Sequence, residues 1–241
     1  MTVLHVMCAV NVMLLVIVGG FCVKYEIPAK LVSRITHGGG GIIDPVKTER
    51  YTLQLDVFRN APRGDEAIVM LGDSLTENTP FCELLGFRHR IRNRGISSDN
   101  TRGVLHRIDE TASLNAAKVF ILLGINDIGN GISQSETLSN YRQIVQRLKA
   151  SSGEVYIQSV LPVDHKKLAD NARCRRRTRE AITSLNAELR RLADELGCEF
   201  VDTYSVFAGD DGEMDDACTF DGLHLNGHGM MKWCNFLEQY M

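Results

Sequence analysis

The run Ile68-Val69-Met70-Leu71-Gly72-Asp73-Ser74-Leu75-Thr76 drives four apolar residues straight into a Gly-Asp-Ser turn. A short continuous apolar stretch bounded by a turn is the pattern of a strand buried on both faces. The same pattern returns at 117–123 and 155–160, more briefly at 198–201 and more weakly at 90–94. Between these runs Leu138, Tyr141, Ile144, Val145 and Leu148 recur at helical spacing. So do Ile182, Leu185, Leu189, Leu192 and Leu196, which stop at Gly197, a natural C-cap. Met230, Trp233, Cys234 and Leu237 mark a last amphipathic helix. Strands that alternate with helices of this length predict an α/β fold in three layers, α/β/α, around a parallel sheet of about five strands.

Ligands of such sheets bind beyond the carboxyl ends of the strands. Gly72-Asp73-Ser74 follows the first candidate strand, Gly95 the second, and Gly124-Ile125-Asn126-Asp127 the third, so three polar motifs share one edge. A serine hydroxyl needs an imidazole to take its proton and a third group to hold that imidazole in the right tautomer. Ser74, His224 and Asp221 supply nucleophile, base and orienting carboxylate. In Asp221-Gly222-Leu223-His224 the acid and the imidazole stand three residues apart, which one turn of helix-like backbone would place on the same side. Acyl transfer also needs donors aimed at the oxygen that becomes negative. The candidates are the Ser74 amide, the Gly95 amide, free of a Cβ that would block close approach, and the uncharged Asn126 side chain.

These four blocks, in this order, resemble the SGNH, or GDSL-type, hydrolase family over residues 48–241. Thr76 in place of a second glycine separates them from the G-x-S-x-G elbow of other α/β-hydrolases. The resemblance implies a flavodoxin-like sheet, Ser74, Asp221 and His224 as catalytic residues, and Ser74, Gly95 and Asn126 around the oxyanion. It implies neither cofactor nor metal. The stretch 93–105, from Asn93-Arg94-Gly95-Ile96 to Val104-Leu105, is further similar to the branch with platelet-activating-factor acetylhydrolase subunits and bacterial acetyl esterases. The expected activity is therefore hydrolysis of a short-chain ester, acetyl above all, of a carbohydrate such as an O-acetylated sugar or sialic acid. A lysophospholipase or thioesterase and a non-catalytic carbohydrate-binding protein are the alternatives.

With 241 residues and 44% hydrophobic composition, the chain has room for one well-buried catalytic domain. A net charge of -3 gives no footing for nucleic acid and fits a small-molecule ester substrate. Residues 3–23 carry no charge, long enough for an export signal or a membrane anchor, so membrane association and an extracytoplasmic, periplasmic location are expected. Residues 24–47, with His37-Gly38-Gly39-Gly40-Gly41, form a flexible linker to a domain at 48–241. Seven cysteines without metal-ligand spacing read as small buried apolar residues rather than a disulfide scaffold. His224 and His228 stand four apart, but Leu225 occupies the position of a zincin glutamate, so His228 belongs to the entry of the last helix. Arg173, Arg175, Arg176, Arg177 and Arg179 form a basic run that is expected to be a solvated face, with an anion-holding role as the alternative. Asp127 reads equally as a cap or as a brace for the Asn126 loop.

Overall fold

The computed structural model describes residues 43–62 and 68–241. The segment 3–23, Cys8, Cys22 and most of the linker lie outside the described residues. No described helix is long and apolar enough to cross a membrane.

In chain order the elements are α1 (Glu49–Asn60), β1 (Ile68–Gly72), α2 (Ser74–Asn78), α3 (Phe81–Leu84), β2 (Ile91–Gly95), α4 (Thr101–Ala112), β3 (Lys118–Leu122) and α5 (Ile125–Asn130). There follow α6 (Gln134–Lys149), β4 (Glu154–Gln158), α7 (Ala172–Arg176), α8 (Arg179–Leu196), β5 (Glu199–Val201), α9 (Thr203–Phe207) and α10 (Gly227–Leu237). The five strands lie in the order β2-β1-β3-β4-β5. Every pairing is parallel. The chain adds β2 on one side of β1 and β3 on the other, so the order reverses there and opens a crevice above β1 and β3. Gly72 is level with Gly95 and Leu122, which makes the loops after β1, β2 and β3 emerge together.

Side chains alternate across the sheet. Val69, Leu71, Val119, Ile121, Val155 and Ile157 pack with Val104 and Ile108 of α4, Tyr141 and Ile144 of α6, and Leu185 and Leu189 of α8. Ile68, Met70, Phe120, Leu122 and Tyr156 face the other way, against Phe81, Phe207, Trp233 and Leu237. The period of two, applied to runs that are apolar on both faces, is what makes this a three-layer molecule. Trp233 is fully buried, and its Nε1 donates to Gln158 Oε1 at 2.9 Å, so its one polar atom is satisfied.

α1 and α4 do not stand out in the sequence. Tyr51, Leu55 and Phe58 of α1 form a separate small cluster with Ile96, a stripe of only three residues that the exposed Leu53 and Val57 on the same helix blur. In α4, Val104 and Ile108 are interrupted by Arg107, whose side chain is nevertheless fully buried. The chain also docks earlier than residue 48: Ile43 N donates to Asn130 Oδ1 at 3.3 Å, Asn130 Nδ2 returns a bond to Ile43 O at 3.0 Å, and Pro45 is buried. The five described cysteines are all free, and Cys174, Cys218 and Cys234 are buried.

Candidate active site

β1 ends at Gly72 and hands the chain to Asp73, whose Oδ1 accepts from Leu75 N at 3.0 Å and N-caps α2. Ser74 is thus the first helical residue, held at the open edge of the crevice. Its Oγ lies 3.0 Å from His224 Nε2. On the far side of the ring, His224 Nδ1 lies 2.7 Å from Asp221 Oδ2. Asp221 Oδ1 accepts from the Leu223 and His224 amides at 2.9 and 2.7 Å. Burial works against the Asp221 charge, but the hydrogen bonds from the His224 ring and amide outweigh it and hold the carboxyl below its ordinary range. An ionised carboxylate on Nδ1 leaves Nε2 as the acceptor facing the hydroxyl.

The backbone between the two residues is not the helix-like turn expected from their spacing. Gly222 takes φ +84. Thr219 Oγ1 then accepts from Gly222 N at 3.0 Å and donates to His224 O at 2.7 Å. The Phe220 ring stacks on the His224 ring with centroids 6.0 Å apart, and Phe220 is 64% exposed. His228 lies in the first turn of α10 and is exposed. Among the described residues, no group of three His, Cys, Asp or Glu side chains is placed to hold a metal ion.

The expected oxyanion donors are arranged less simply. The Ser74 amide sits in the first turn of α2, where backbone N–H groups have no intrahelical acceptor. Gly95 departs from expectation, because its amide donates to Asn93 Oδ1 at 2.8 Å. Its lack of a side chain serves the packing instead: a Cβ there would stand 2.1 Å from Glu77 N, so glycine lets α2 lie directly on β2. After Gly95 a turn closes through Asp99 N and Ile96 O at 3.0 Å, with Ser98 at φ +67 in a position that favours glycine. Glu77 accepts from Ser97 N at 2.6 Å and so ties this loop to the helix that carries Ser74.

Asn126 is buried at the start of α5, and its Nδ2 donates to Asp99 O at 2.9 Å and, more loosely, to Asp73 Oδ2 at 3.3 Å. Its Oδ1 accepts from Arg177 Nη2 at 3.0 Å and Arg173 Nη2 at 3.2 Å. The solvated-face reading of the basic run is thereby corrected for these two residues: they turn inward because an amide oxygen there demands donors. Arg176 also reaches back, to Gly129 O at 3.2 Å, whereas Arg175 is exposed and pairs with Asp170. Asp127 proves to be a brace: its carboxylate accepts from Thr101 N at 3.2 Å and Thr101 Oγ1 at 2.5 Å, fastening α5 to α4.

Three buried carboxyls underlie Ser74. Burial, with a lesser contribution from neighbouring acids, pushes Asp73 up to about 7 and Asp127 to about 6. Burial also lifts Asp99 to about 6, although Arg107 Nε donates to its Oδ2 at 2.9 Å and opposes the shift. The unfolded chain has these groups near 3.9, so the folded state holds protons that the unfolded state has released. Their contribution to stability is complete below about pH 4 and is lost as pH rises through about 7. Asp221 and Glu77, shifted downward, act in the opposite sense, but only at acid pH below the ordinary carboxylate range. The unfolding temperature should therefore be higher near pH 5.5 than near pH 8, with a shallower slope in Asp73→Asn. Calorimetry showing the reverse slope would refute this.

The sequence and the coordinates can be set beside known proteins. A structure described provisionally as a platelet activating factor from Streptococcus pneumonia shares 27% identity, with a TM-score of 0.75, covering 88% of this chain and 99% of its own. An acylhydrolase structure from Bacteroides fragilis shares 26% identity, TM-score 0.66, over 82% of this chain and 97% of its own. Axe2, an acetylxylan esterase from Geobacillus stearothermophilus, has the same fold at 18% identity, TM-score 0.59, over 73% and 94% of the two chains. No curated protein matches. The model of the GDSL-like lipase/acylhydrolase family matches residues 70–232, and the chain belongs to that family.

Proposed function

We propose that this member of the GDSL-like lipase/acylhydrolase family is a serine esterase that removes a short acyl group, acetyl above all, from a carbohydrate-type alcohol through a covalent acyl-enzyme. The observation that carries this reading is the continuous chain from Ser74 Oγ through His224, 3.0 Å to Nε2, to Asp221, 2.7 Å from Nδ1. In this reading His224 takes the hydroxyl proton as Oγ attacks the ester carbon, and Asp221 stabilises the imidazolium that results. His224 then returns the proton to the departing alcohol, and a water repeats the sequence in reverse to free the acid. The Ser74 amide and Asn126 Nδ2 receive the oxyanion. Of the two bonds that Nδ2 makes, the 3.3 Å one to Asp73 is the one a full negative charge would displace.

Two features support a short acyl group and a ring-bearing alcohol. The apolar space flanking the serine loop, bounded by Asp73, Leu75, Ile125, Leu161, Pro162 and Leu223, is nearly filled, with about 10 Å³ free, so no channel for a chain of methylenes opens there. Phe220, exposed beside His224, offers an aromatic face on which a sugar ring can rest. The charge-free segment 3–23 would hold the enzyme at or beyond a membrane, where acylated polysaccharides are reached from the extracytoplasmic side.

The test is hydrolysis of p-nitrophenyl esters from two to twelve carbons, with and without EDTA. The expected outcome is a kcat/KM that is highest for acetate, falls at least about tenfold by eight carbons and ignores the chelator. A maximum at eight carbons or longer would replace this reading by the lipid acylhydrolase one.

A further inference from the structure

Two guanidiniums stand beside Asn126 without an acidic partner. Arg177 is 4% exposed and commits its donors to Ile125 O at 3.2 Å, Asn126 Oδ1 at 3.0 Å and, weakly, Cys174 Sγ at 3.8 Å. Arg173, only partly buried, reaches the same Oδ1 through Nη2, while its Nε is buried with no acceptor. Neither joins an ion pair among the described residues. The other deeply buried arginines do: Arg107 pairs with Asp99 at 2.9 Å and Arg94 with Glu110 at 3.0 Å.

Burying a cation without a counter-ion is costly. Burial indeed lowers the affinity of both guanidiniums for their protons, and each is further opposed or relieved by its neighbours: Arg177 disfavours Arg173, while Asp73 and Asp221 favour Arg177 at longer range. Asp73 is itself pushed toward neutrality, so it compensates Arg177 only in part. The pair therefore places uncompensated positive charge beside Asn126, and the buried Arg173 Nε adds an unpaired donor to it.

We propose that Arg173 and Arg177 form the anion-recognising side of the site, and that the ester hydrolysed carries a carboxylate or phosphate on its alcohol portion. The proposal rests on the serine esterase reading and adds to it the charge of the substrate. Placement on the alcohol portion follows from the two faces of Asn126. Nδ2 points toward Asp73, on the side that the proposed function gives to the oxyanion. Oδ1 points the other way, to the guanidiniums. A carboxylate or phosphate beside Arg173 meets a planar guanidinium already turned toward the site by its bond to Asn126 Oδ1, with directed donors that an ammonium does not offer.

The experiment compares 4-acetoxybenzoate with its neutral methyl ester, each rate divided by the rate of the same ester with hydroxide. The wild-type enzyme should favour the charged ester by about tenfold or more in kcat/KM. That preference should shrink with added salt and fall toward unity in Arg173→Met, with Arg173→Lys retaining part of it. A second pair, mono-p-nitrophenyl succinate against p-nitrophenyl butyrate, places the charge on the acyl side, and no preference for charge is expected there.

Equal rates on the two acetoxybenzoates overturn the proposal while leaving the serine esterase reading intact. A preference that survives Arg173→Met, or one found only in the succinate pair, overturns it as well. If Arg173→Met does not fold, as judged by its circular dichroism, Arg173→Gln gives the same comparison. Absence of Ser74-dependent turnover of the methyl ester and of p-nitrophenyl acetate would sink the esterase reading and the proposal together.

Discussion

Replacing Ser74 with alanine should lower turnover of p-nitrophenyl acetate by roughly 10⁴- to 10⁶-fold while changing the unfolding temperature little. The kinetic loss is large because the hydroxyl is the atom that becomes covalently bound to the acyl group. Without it the amide donors and the base can at best orient a water, as the residual activity of dismantled triads in other serine hydrolases shows. The structural loss is small because Ser74 contributes one oxygen at the first position of α2, and the helix is capped by Asp73, not by Ser74. What the variant forfeits is the 3.0 Å bond to His224 Nε2, a partly exposed contact. KM should move little, since the oxyanion donors, Arg173 and Arg177 are untouched. Turnover within tenfold of wild type would show that Ser74 is not the nucleophile, and the 3.0 Å contact would then be no more than a hydrogen bond.

Much of this arrangement is legible in the sequence because buried parallel strands have a simple signature. β1, β3 and β4 are runs of apolar residues with both faces covered, and the structure places them at Ile68–Gly72, Lys118–Leu122 and Glu154–Gln158, within a residue or two of the expected runs. β5 and the edge strand β2 read more faintly, the latter because Arg92, Asn93 and Arg94 sit in it. The C-cap at Gly197 is also readable, and it takes the left-handed conformation expected, φ +61. Buried charge is what sequence pattern hides. Arg107 carries a charged side chain in α4, as Arg102 does, and pattern alone assigns it to solvent. It lies instead with no side-chain exposure, donating to Asp99 and to the Arg94 carbonyl at 2.8 Å. Its partner Asp99 lies only eight residues earlier, just before the N-cap of α4, but the pattern gives no sign that the two charged side chains are buried together.

The same limit explains two features of the site whose surroundings the sequence does not show. A basic run is normally a wet surface, and Arg175 obeys that rule. Arg173 and Arg177 break it because their spacing of four, across the end of α7, lets both turn toward Asn126, 47 and 51 residues away along the chain. Gly95 is a glycine that a neighbour requires, and the neighbour, the backbone of Glu77, is likewise distant in sequence. Motif spacing reports that residues share an edge. It does not report which of their hydrogen-bonding groups are already taken.

Replacing Gly222 with alanine should cost about 10²-fold in kcat, although the residue touches neither Ser74 nor the His224 ring. Gly222 lies between Asp221 and His224 at φ +84, where an L side chain is strained by roughly 1–2 kcal/mol before any contact is counted. The added Cβ would also stand 2.5 Å from Asp164 O and 2.7 Å from Leu168 N, both backbone atoms that cannot swing aside. The segment is clamped from that side as well, since Asp164 N donates to Gly222 O at 2.8 Å. The turn must therefore lift away from residues 164–168, and it carries His224 with it, because Thr219 Oγ1 and the Asp221 carboxylate bind the turn into one unit. A displacement of about 1 Å at Nε2 stretches its bond to Ser74 Oγ beyond useful proton transfer. The loss should fall on kcat far more than on KM, since Asn126 and Arg173 belong to α5 and α7, not to this turn. A crystal structure of Gly222→Ala with the Ser74–His224 distance unchanged, or kinetics within threefold of wild type, would show that the turn tolerates the methyl group.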